Sequence, residues 1–193
     1  MVLVFDNLLE NFDDYNNRVL HARYKDVDSQ GITYSDVSQD VSGEDIYKAL
    51  SLKIGFTPQD KINFLRAYKQ KQYKHPMWIH SDVLFSDYIA IFMIQASDCP
   101  QDDGVAFWTN KELNDIQLYT KDHTEEKNKI VDSQSMDPEK WEMRKRVEFK
   151  SNRVVLAPAS YFHSTASYSN RGNSIDNCRI VHVLFFNKGE KNV

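Results

Sequence analysis

The residues best suited to chemistry in this chain are two histidines and an aspartate. His80 and Asp82 form a His-x-Asp pair, and His163 follows much later, after an apolar segment. Two histidines and one carboxylate are the ligand set of a facial triad, which holds Fe(II) on one side and leaves the other side open. Arg179 adds to the pattern, because a guanidinium on the last apolar segment suits the carboxylate of a co-substrate. The sequence therefore indicates a metal site with an anion-binding group near it.

A His-x-Asp or His-x-Glu pair alone is weak evidence, since six histidines and 28 acidic residues make chance matches common. His123 and Glu125 form a second such pair, but their surroundings are polar throughout and predict a solvated loop. His80 instead follows an apolar stretch that predicts a strand, and side chains two apart on a strand point to the same face. We therefore expect Trp78, His80 and Asp82 to face the interior together.

The other candidates each have a structural alternative. His163 lies in a turn after a buried strand and, taken alone, fits a hydrogen-bonded loop histidine. Arg179 begins a strand that is expected to point Arg179, Val181, Val183 and Phe185 inward. A guanidinium among such neighbours needs a partner, unless the side chain extends to solvent at the strand end. His182 would point to the opposite face, where we expect a structural role.

Composition restricts the class of protein. The chain has 193 residues, of which 41% are hydrophobic, which favours one domain with its own core. A net charge of −4 predicts no general attraction to nucleic acid or to anionic membranes. Cys99 and Cys178 form no C-x-x-C pair, so we expect free thiols in a reducing compartment. The sequence shows no pattern of a signal peptide or a membrane span, and the expected location is the cytoplasm.

Apolar periodicity predicts helices first and strands afterwards. A short strand over residues 2–5 precedes a helix, a second helix starts at Ser42, and Thr57-Pro58 is a further helix start. Short strands are then expected at 62–68, 76–82, 87–95, 105–109, 146–149, 153–157 and 178–186. Residues 111–144 are strongly charged, with a short helix after Pro138. This order predicts an α+β chain that is mainly β, a helix-backed jelly roll rather than a βαβ fold.

Several segments together resemble a known family. They are residues 73–82, the apolar strand 88–94, residues 103–107 and 152–156, His163-Ser164, and residues 179–186. They look like the catalytic core of the Fe(II)/2-oxoglutarate-dependent oxygenases, nearest to the prolyl-4-hydroxylase-like branch. The resemblance implies a single domain over 1–193, with a double-stranded β-helix (a jelly-roll, cupin-like core) at about 60–187 and N-terminal support at about 1–58. The charged insertion at about 111–144 is of a kind that commonly forms a substrate lid.

The resemblance also implies roles for single residues. His80, Asp82 and His163 would bind Fe(II), and Arg179 would bind the C5 carboxylate of 2-oxoglutarate. Related halogenases lack the carboxylate ligand, so Asp82 favours hydroxylation.

Two assignments stay open at this point. In the family a tyrosine or another polar residue often assists the co-substrate, and Tyr68 and Tyr73 are both candidates. The segment between His163 and Arg179 is longer than is usual in prolyl hydroxylases, which makes Arg171 a rival for the carboxylate.

The implied activity is that of a dioxygenase that uses O2 and 2-oxoglutarate, releases succinate and CO2, and hydroxylates a protein side chain or a small molecule. Ascorbate is a candidate reductant. An inactive cupin-like protein that binds a metal or ligand is the main alternative. A zinc hydrolase would use the same ligands but leave the arginine unexplained. A β-sandwich with coincidental histidines would have to satisfy two inward polar groups in another way.

Overall fold

The computed structural model describes residues 1–29, 32–69, 78–96, 103–118, 125–166 and 172–189. In these ranges the helices are α1 (Phe12–Leu20), α2 (Glu44–Ile54) and α3 (Glu125–Gln134), with a 3-10 turn at Pro138–Lys140. The strands are β1 (Leu3–Phe5), β2 (Tyr24–Ser29), β3 (Ile32–Ser38), β4 (Pro58–Tyr68), β5 (Tyr88–Gln95), β6 (Gly104–Asn110), β7 (Trp141–Glu148), β8 (Arg153–Pro158), β9 (His163–Thr165) and β10 (Arg179–Lys188). The chain is therefore mainly β with few helices, as its sequence predicts.

The described strands form two antiparallel sheets. The large sheet has seven strands in the order β1-β8-β5-β10-β4-β3-β2, and the small sheet has three in the order β7-β6-β9. The last strand, β10, lies in the middle of the large sheet, where it pairs with β5 on one side and β4 on the other. Antiparallel sheets that stack over a shared core are consistent with a jelly-roll-like fold.

Alternation along β10 divides the core into two layers. Odd-numbered side chains such as Val181 and Phe185 pack between the sheets, against Phe107 of β6. Even-numbered side chains such as Leu184 pack against α1 and α2 on the outer face of the large sheet. Successive side chains of a strand point to opposite faces, so the pattern of β10 places Arg179 between the sheets.

The N-terminal helices support the large sheet from outside. Tyr15 of α1 and Ile46 of α2 are buried in the layer that covers this sheet. Helix α2 begins just after Ser42, the predicted start, and the Ser42 hydroxyl accepts a hydrogen bond from the Glu44 amide at 3.2 Å. It ends at Gly55, whose φ of 74° is a left-handed conformation that glycine adopts without a steric penalty.

The structure differs from the sequence prediction at two N-terminal places. The helix start predicted at Thr57-Pro58 is wrong, because Pro58 is the first residue of β4, a position that tolerates proline within a sheet. Pairing with β10 along almost the whole of β4 overrides the local helix signal. Residues 24–38 are mainly polar and have no predicted element, yet β2 and β3 pair as a hairpin at the edge of the large sheet.

The charged stretch 111–144 supports the small sheet in its described part. It contains α3, which the sequence did not predict, and the predicted short helix after Pro138 is a single 3-10 turn. Val131 of α3 and Trp141 of β7 pack with Trp108 on the outer face of the small sheet. A role for this stretch as a substrate lid stays a prediction. Across the described residues, every helix is too short or too polar to cross a membrane.

Candidate metal centre

Two backbone hydrogen bonds join the two histidines of the predicted triad. The His80 amide donates to the His163 carbonyl at 3.1 Å, and the His163 amide donates to the His80 carbonyl at 2.9 Å. His163 itself lies on β9, opposite Phe107 of β6. The sequence predicts a strand over 76–82, and in the described part of that segment the structure has an isolated bridge at His80 instead. The bridge is sufficient to bring the His-x-Asp pair beside the remote histidine.

The three side chains converge on one point. Possible ligand atoms of His80, Asp82 and His163 all lie within 4.8 Å of one another. One carboxylate oxygen of Asp82 lies 3.1 Å from Nε2 of His163, and the other lies 3.7 Å from Nε2 of His80. The Asp82 amide donates to the Ala159 carbonyl at 2.8 Å, which fixes the aspartate beside the turn that leads into β9. Within the described ranges, this is the group of histidines, cysteines and acids that could hold a metal.

Hydrogen bonds at the far side of each ring set the tautomer that a metal needs. Nδ1 of His80 lies 3.1 Å from the Trp78 carbonyl, and Nδ1 of His163 lies 2.9 Å from the Tyr161 carbonyl. Because a carbonyl oxygen can only accept, Nδ1 carries the proton in both neutral rings. Nε2 then presents a lone pair toward the shared point. Such backbone contacts orient metal-binding histidines in proteins.

Burial and mutual charge decide the protonation of the triad. Burial lowers the pKa of His80, and His163 adds to this effect, while the nearby Asp82 opposes it. Burial alone would lower the pKa of His163, but the hydrogen bond and the charge of Asp82 outweigh it and leave that pKa raised. Burial would raise the pKa of Asp82, but the two histidines leave it lowered. The lowered pKa favours the ionised form of Asp82, and the raised pKa of His163 reflects its hydrogen bond to that carboxylate; a metal bound at Nε2 would take the place of that hydrogen bond.

The triad is closed on one side and accessible on the other. His163 and Asp82 are buried, whereas the His80 side chain is 30% exposed. The Trp78 ring stacks on the His80 ring with centroids 4.6 Å apart, and it is itself half exposed. Trp78, His80 and Asp82 therefore share a side, as their spacing predicts, but the prediction that all three face the interior is wrong for Trp78, which is 43% exposed.

Arg179 is buried and paired rather than extended toward solvent, so the solvent alternative is wrong. Its Nε donates to Asp103 at 2.8 Å, and the residue is 3% exposed. The guanidinium lies over the ring of Tyr68, which is opposite Arg179 on β4, at 5.2 Å from the ring centroid. Tyr73 and Arg171, the other candidates for the co-substrate, lie outside the described residues.

Arg179 and the metal triad lie on different sheets, and both contact β6. Nη2 of Arg179 lies 3.5 Å from the carbonyl oxygen of Gly104, the first residue of β6. His163 pairs with Phe107, which lies further along β6. This separation corresponds to about 10 Å of β-strand, at about 3.4 Å per residue. A small diacid could reach from one to the other. Asp103 falls in the segment 103–107 that carries the resemblance, but the sequence analysis does not predict its pairing with Arg179, although an acid directly before a wholly buried strand is an available signal.

The histidine of β10, His182, is buried and hydrogen-bonded at both ring nitrogens, as a structural role requires. Nδ1 of His182 accepts from the Tyr15 hydroxyl at 2.5 Å, and Nε2 donates to the side-chain oxygen of Asn63 at 2.7 Å. Burial lowers the pKa of His182 to about 3, so the ring is neutral. His123 lies outside the described residues.

Comparison with protein-family models gives no match, and comparison with curated proteins gives none either. Solved structures do share this fold. The non-heme alpha ketoglutarate dependent carbocyclase SnoK from nogalamycin biosynthesis has a TM-score of 0.55 at 10% identity, over 95% of this chain and 78% of that one. The epimerase SnoN from the same biosynthesis has a TM-score of 0.51 at 14% identity, over 95% and 76%.

A third similar structure is HygX from Streptomyces hygroscopicus with nickel and 2-oxoglutarate bound. Its TM-score is 0.52 at 12% identity, over 95% of this chain and 81% of that one. The chain therefore has the fold of 2-oxoglutarate-dependent non-heme iron enzymes, and it carries a His-Asp-His triad within that fold. Identities this low show the fold alone, and the prolyl-4-hydroxylase-like branch stays a prediction.

Proposed function

We propose that this protein is an Fe(II)- and 2-oxoglutarate-dependent dioxygenase that hydroxylates its substrate. The observation that carries the proposal is the convergence of His80, Asp82 and His163, each with a ligand atom directed to a common point. Two imidazole nitrogens and one carboxylate are the donor set of a non-heme Fe(II) site with open positions. The backbone contacts at Nδ1 direct both Nε2 atoms to this point, and Asp82 supplies the negative charge that such an ion needs.

Strand order supports a double-stranded β-helix core in a single domain. Strands β8, β5, β10 and β4 of the large sheet face β7, β6, β9 and the His80 bridge of the small one. In this arrangement the metal triad lies on the small sheet and Arg179 lies on the large one. The site is thus formed between the sheets.

The proposed roles follow from position. His80, Asp82 and His163 hold the metal, and Arg179 receives the distal carboxylate of 2-oxoglutarate beside Tyr68. When bound, iron and 2-oxoglutarate would supply the reaction with O2, in which 2-oxoglutarate becomes succinate and CO2 with one oxygen atom and the other oxygen atom enters a C–H bond of the substrate. Buried apolar side chains between the sheets exclude water from this reaction.

The substrate is a protein side chain or a small molecule. Similar structures named for nogalamycin biosynthesis support a small molecule. The sequence pattern is nearest to the prolyl-4-hydroxylase-like branch, which would act on a side chain. A need for ascorbate is checked by turnover with and without it.

The test is anaerobic addition of Fe(II) and 2-oxoglutarate to the purified protein. We expect the weak visible band of a keto acid chelated to iron. His163→Ala should abolish the band, while His21→Ala, which removes an exposed histidine at the end of α1, should keep it. Absence of the band from the wild-type protein would refute the proposal.

One observation favours the inactive alternative. Arg179 already has a carboxylate partner in Asp103, so a co-substrate must bind beside an existing ion pair. A protein that binds metal and 2-oxoglutarate but forms no succinate in the presence of O2 would be a binding protein with this fold.

A further inference from the structure

The ion pair between Arg179 and Asp103 is buried between the sheets. Nε of Arg179 donates to one oxygen of Asp103 at 2.8 Å, and the two side chains are 3% and 4% exposed. A buried carboxylate beside a guanidinium offsets most of its charge. The proposed carboxylate-binding group is therefore part of a neutral pair.

Asp103 is fixed where it lies. The Gly104 amide donates to the same oxygen of Asp103 at 2.7 Å, and the Phe149 amide donates to the Asp103 carbonyl at 3.2 Å. Gly104 has a φ of 146°, and a Cβ there would lie 2.2 Å from the Val147 carbonyl oxygen. The turn into β6 thus admits glycine alone, and it holds the carboxylate against Arg179.

The second oxygen of Asp103 is buried and accepts no hydrogen bond from the described residues. A bound carboxylate has no proton to donate to it at neutral pH. The distal carboxylate of a bound diacid could therefore not donate a hydrogen bond to this oxygen of Asp103, and the two negative charges would repel each other.

The guanidinium keeps one edge for a ligand. Its faces lie near the rings of Tyr68 and Phe149, at 5.2 and 5.9 Å, and its Nε is taken by Asp103. Among the described residues, the terminal nitrogens make one long hydrogen bond, from Nη2 to the Gly104 carbonyl at 3.5 Å. The terminal edge can form the two parallel hydrogen bonds that a carboxylate accepts.

We propose that Asp103 determines co-substrate specificity by offsetting Arg179 and so reducing the preference of the site for a dicarboxylate. This inference rests on the proposed function. Removal of the Asp103 charge leaves Arg179 uncompensated, and a bound diacid would then supply the missing negative charge. A residue that merely orients Arg179 would act in the opposite direction, because its loss would weaken diacid binding.

The experiment is an anaerobic titration of the Fe(II) protein with two keto acids, followed by the visible band. 2-Oxoglutarate carries the distal carboxylate, and 2-oxopentanoate has the same chain length without it. In Asp103→Asn, 2-oxoglutarate should bind on the order of ten-fold more tightly than in the wild type, and 2-oxopentanoate should bind unchanged. Asp40→Asn, which removes an exposed acid, is the control for the change in net charge.

A loss or no change of 2-oxoglutarate affinity in Asp103→Asn would overturn the role of Asp103 alone. Failure of the wild-type protein to bind either acid would overturn the proposed function. Should Asp103→Asn not fold, Asp103→Ser removes the same charge and keeps an oxygen that can accept from Nε. The wild-type protein provides a second test: a preference for 2-oxoglutarate over 2-oxopentanoate of about ten-fold or less supports the offset, and a larger preference contradicts it.

Discussion

The hydrogen-bonded His182 predicts how the stability of this protein depends on pH. The ring is fully buried between Tyr15 and Asn63, and its pKa is lowered to about 3 in the folded protein. In the unfolded chain a histidine titrates near its ordinary pKa of about 6.5. Between these values the unfolded state binds a proton that the folded state does not. The contribution of His182 is therefore complete above about pH 6.5 and is lost as the pH falls.

The size of the effect follows from the same two pKa values. Each pH unit below the unfolded pKa costs about 1.4 kcal/mol, so a change from pH 7 to pH 5 removes about 2 kcal/mol of the free energy of unfolding. His182→Gln has no titrating group and should lose about 2 kcal/mol less than the wild type over that interval.

Urea unfolding followed by circular dichroism at both pH values measures this difference. A chelator keeps metal out of both proteins, and the contributions of His80 and His163 cancel in the comparison. His21→Gln changes an exposed histidine and should keep the wild-type dependence. An equal loss of stability in wild type and His182→Gln would refute the reasoning.

Further substitutions test other parts of the structure. Arg179→Ala should weaken 2-oxoglutarate binding at least about ten-fold and leave Fe(II) affinity nearly unchanged, by titration of each ligand; equal 2-oxoglutarate affinity would contradict the assignment. Gly104→Ala should lower the melting temperature more than Gly55→Ala, because only the first new methyl group meets backbone atoms within 4 Å. Leu184→Ala opens a cavity in a fully buried layer and should cost about 2–5 kcal/mol in chemical unfolding, whereas Leu52→Ala, which is 81% exposed, should change stability by about 0.5 kcal/mol or less.

Two strands of the large sheet could be predicted because their patterns are strong, whereas the His80 bridge and β9, which hold the metal triad, could not. Both faces of β5 and β10 are buried, and the resulting apolar runs identify them as strands in the interior of a sheet. The parity of His80 and Asp82 followed from the geometry of an extended chain. These features are local, and they survive in the folded protein.

Other features depend on contacts that local sequence does not encode. The polar residues of β2 become a strand because β3 pairs with them at a sheet edge. Pro58 carries a helix signal that pairing between β4 and β10 overrides. Asp103 precedes a buried strand, which marks it as an acid that needs a partner, but only the folded chain shows that this partner is Arg179.

The two backbone hydrogen bonds between His80 and His163 join the His80 segment to β9 at the edge of the small sheet. The backbones of the two residues meet through these hydrogen bonds, and their imidazole rings both lie near Asp82. A metal ion bound by both imidazoles would add a second link between the same two residues, so metal binding would also make this part of the backbone more rigid. Removal of the metal should therefore first increase amide hydrogen exchange at these two residues, before the whole molecule unfolds.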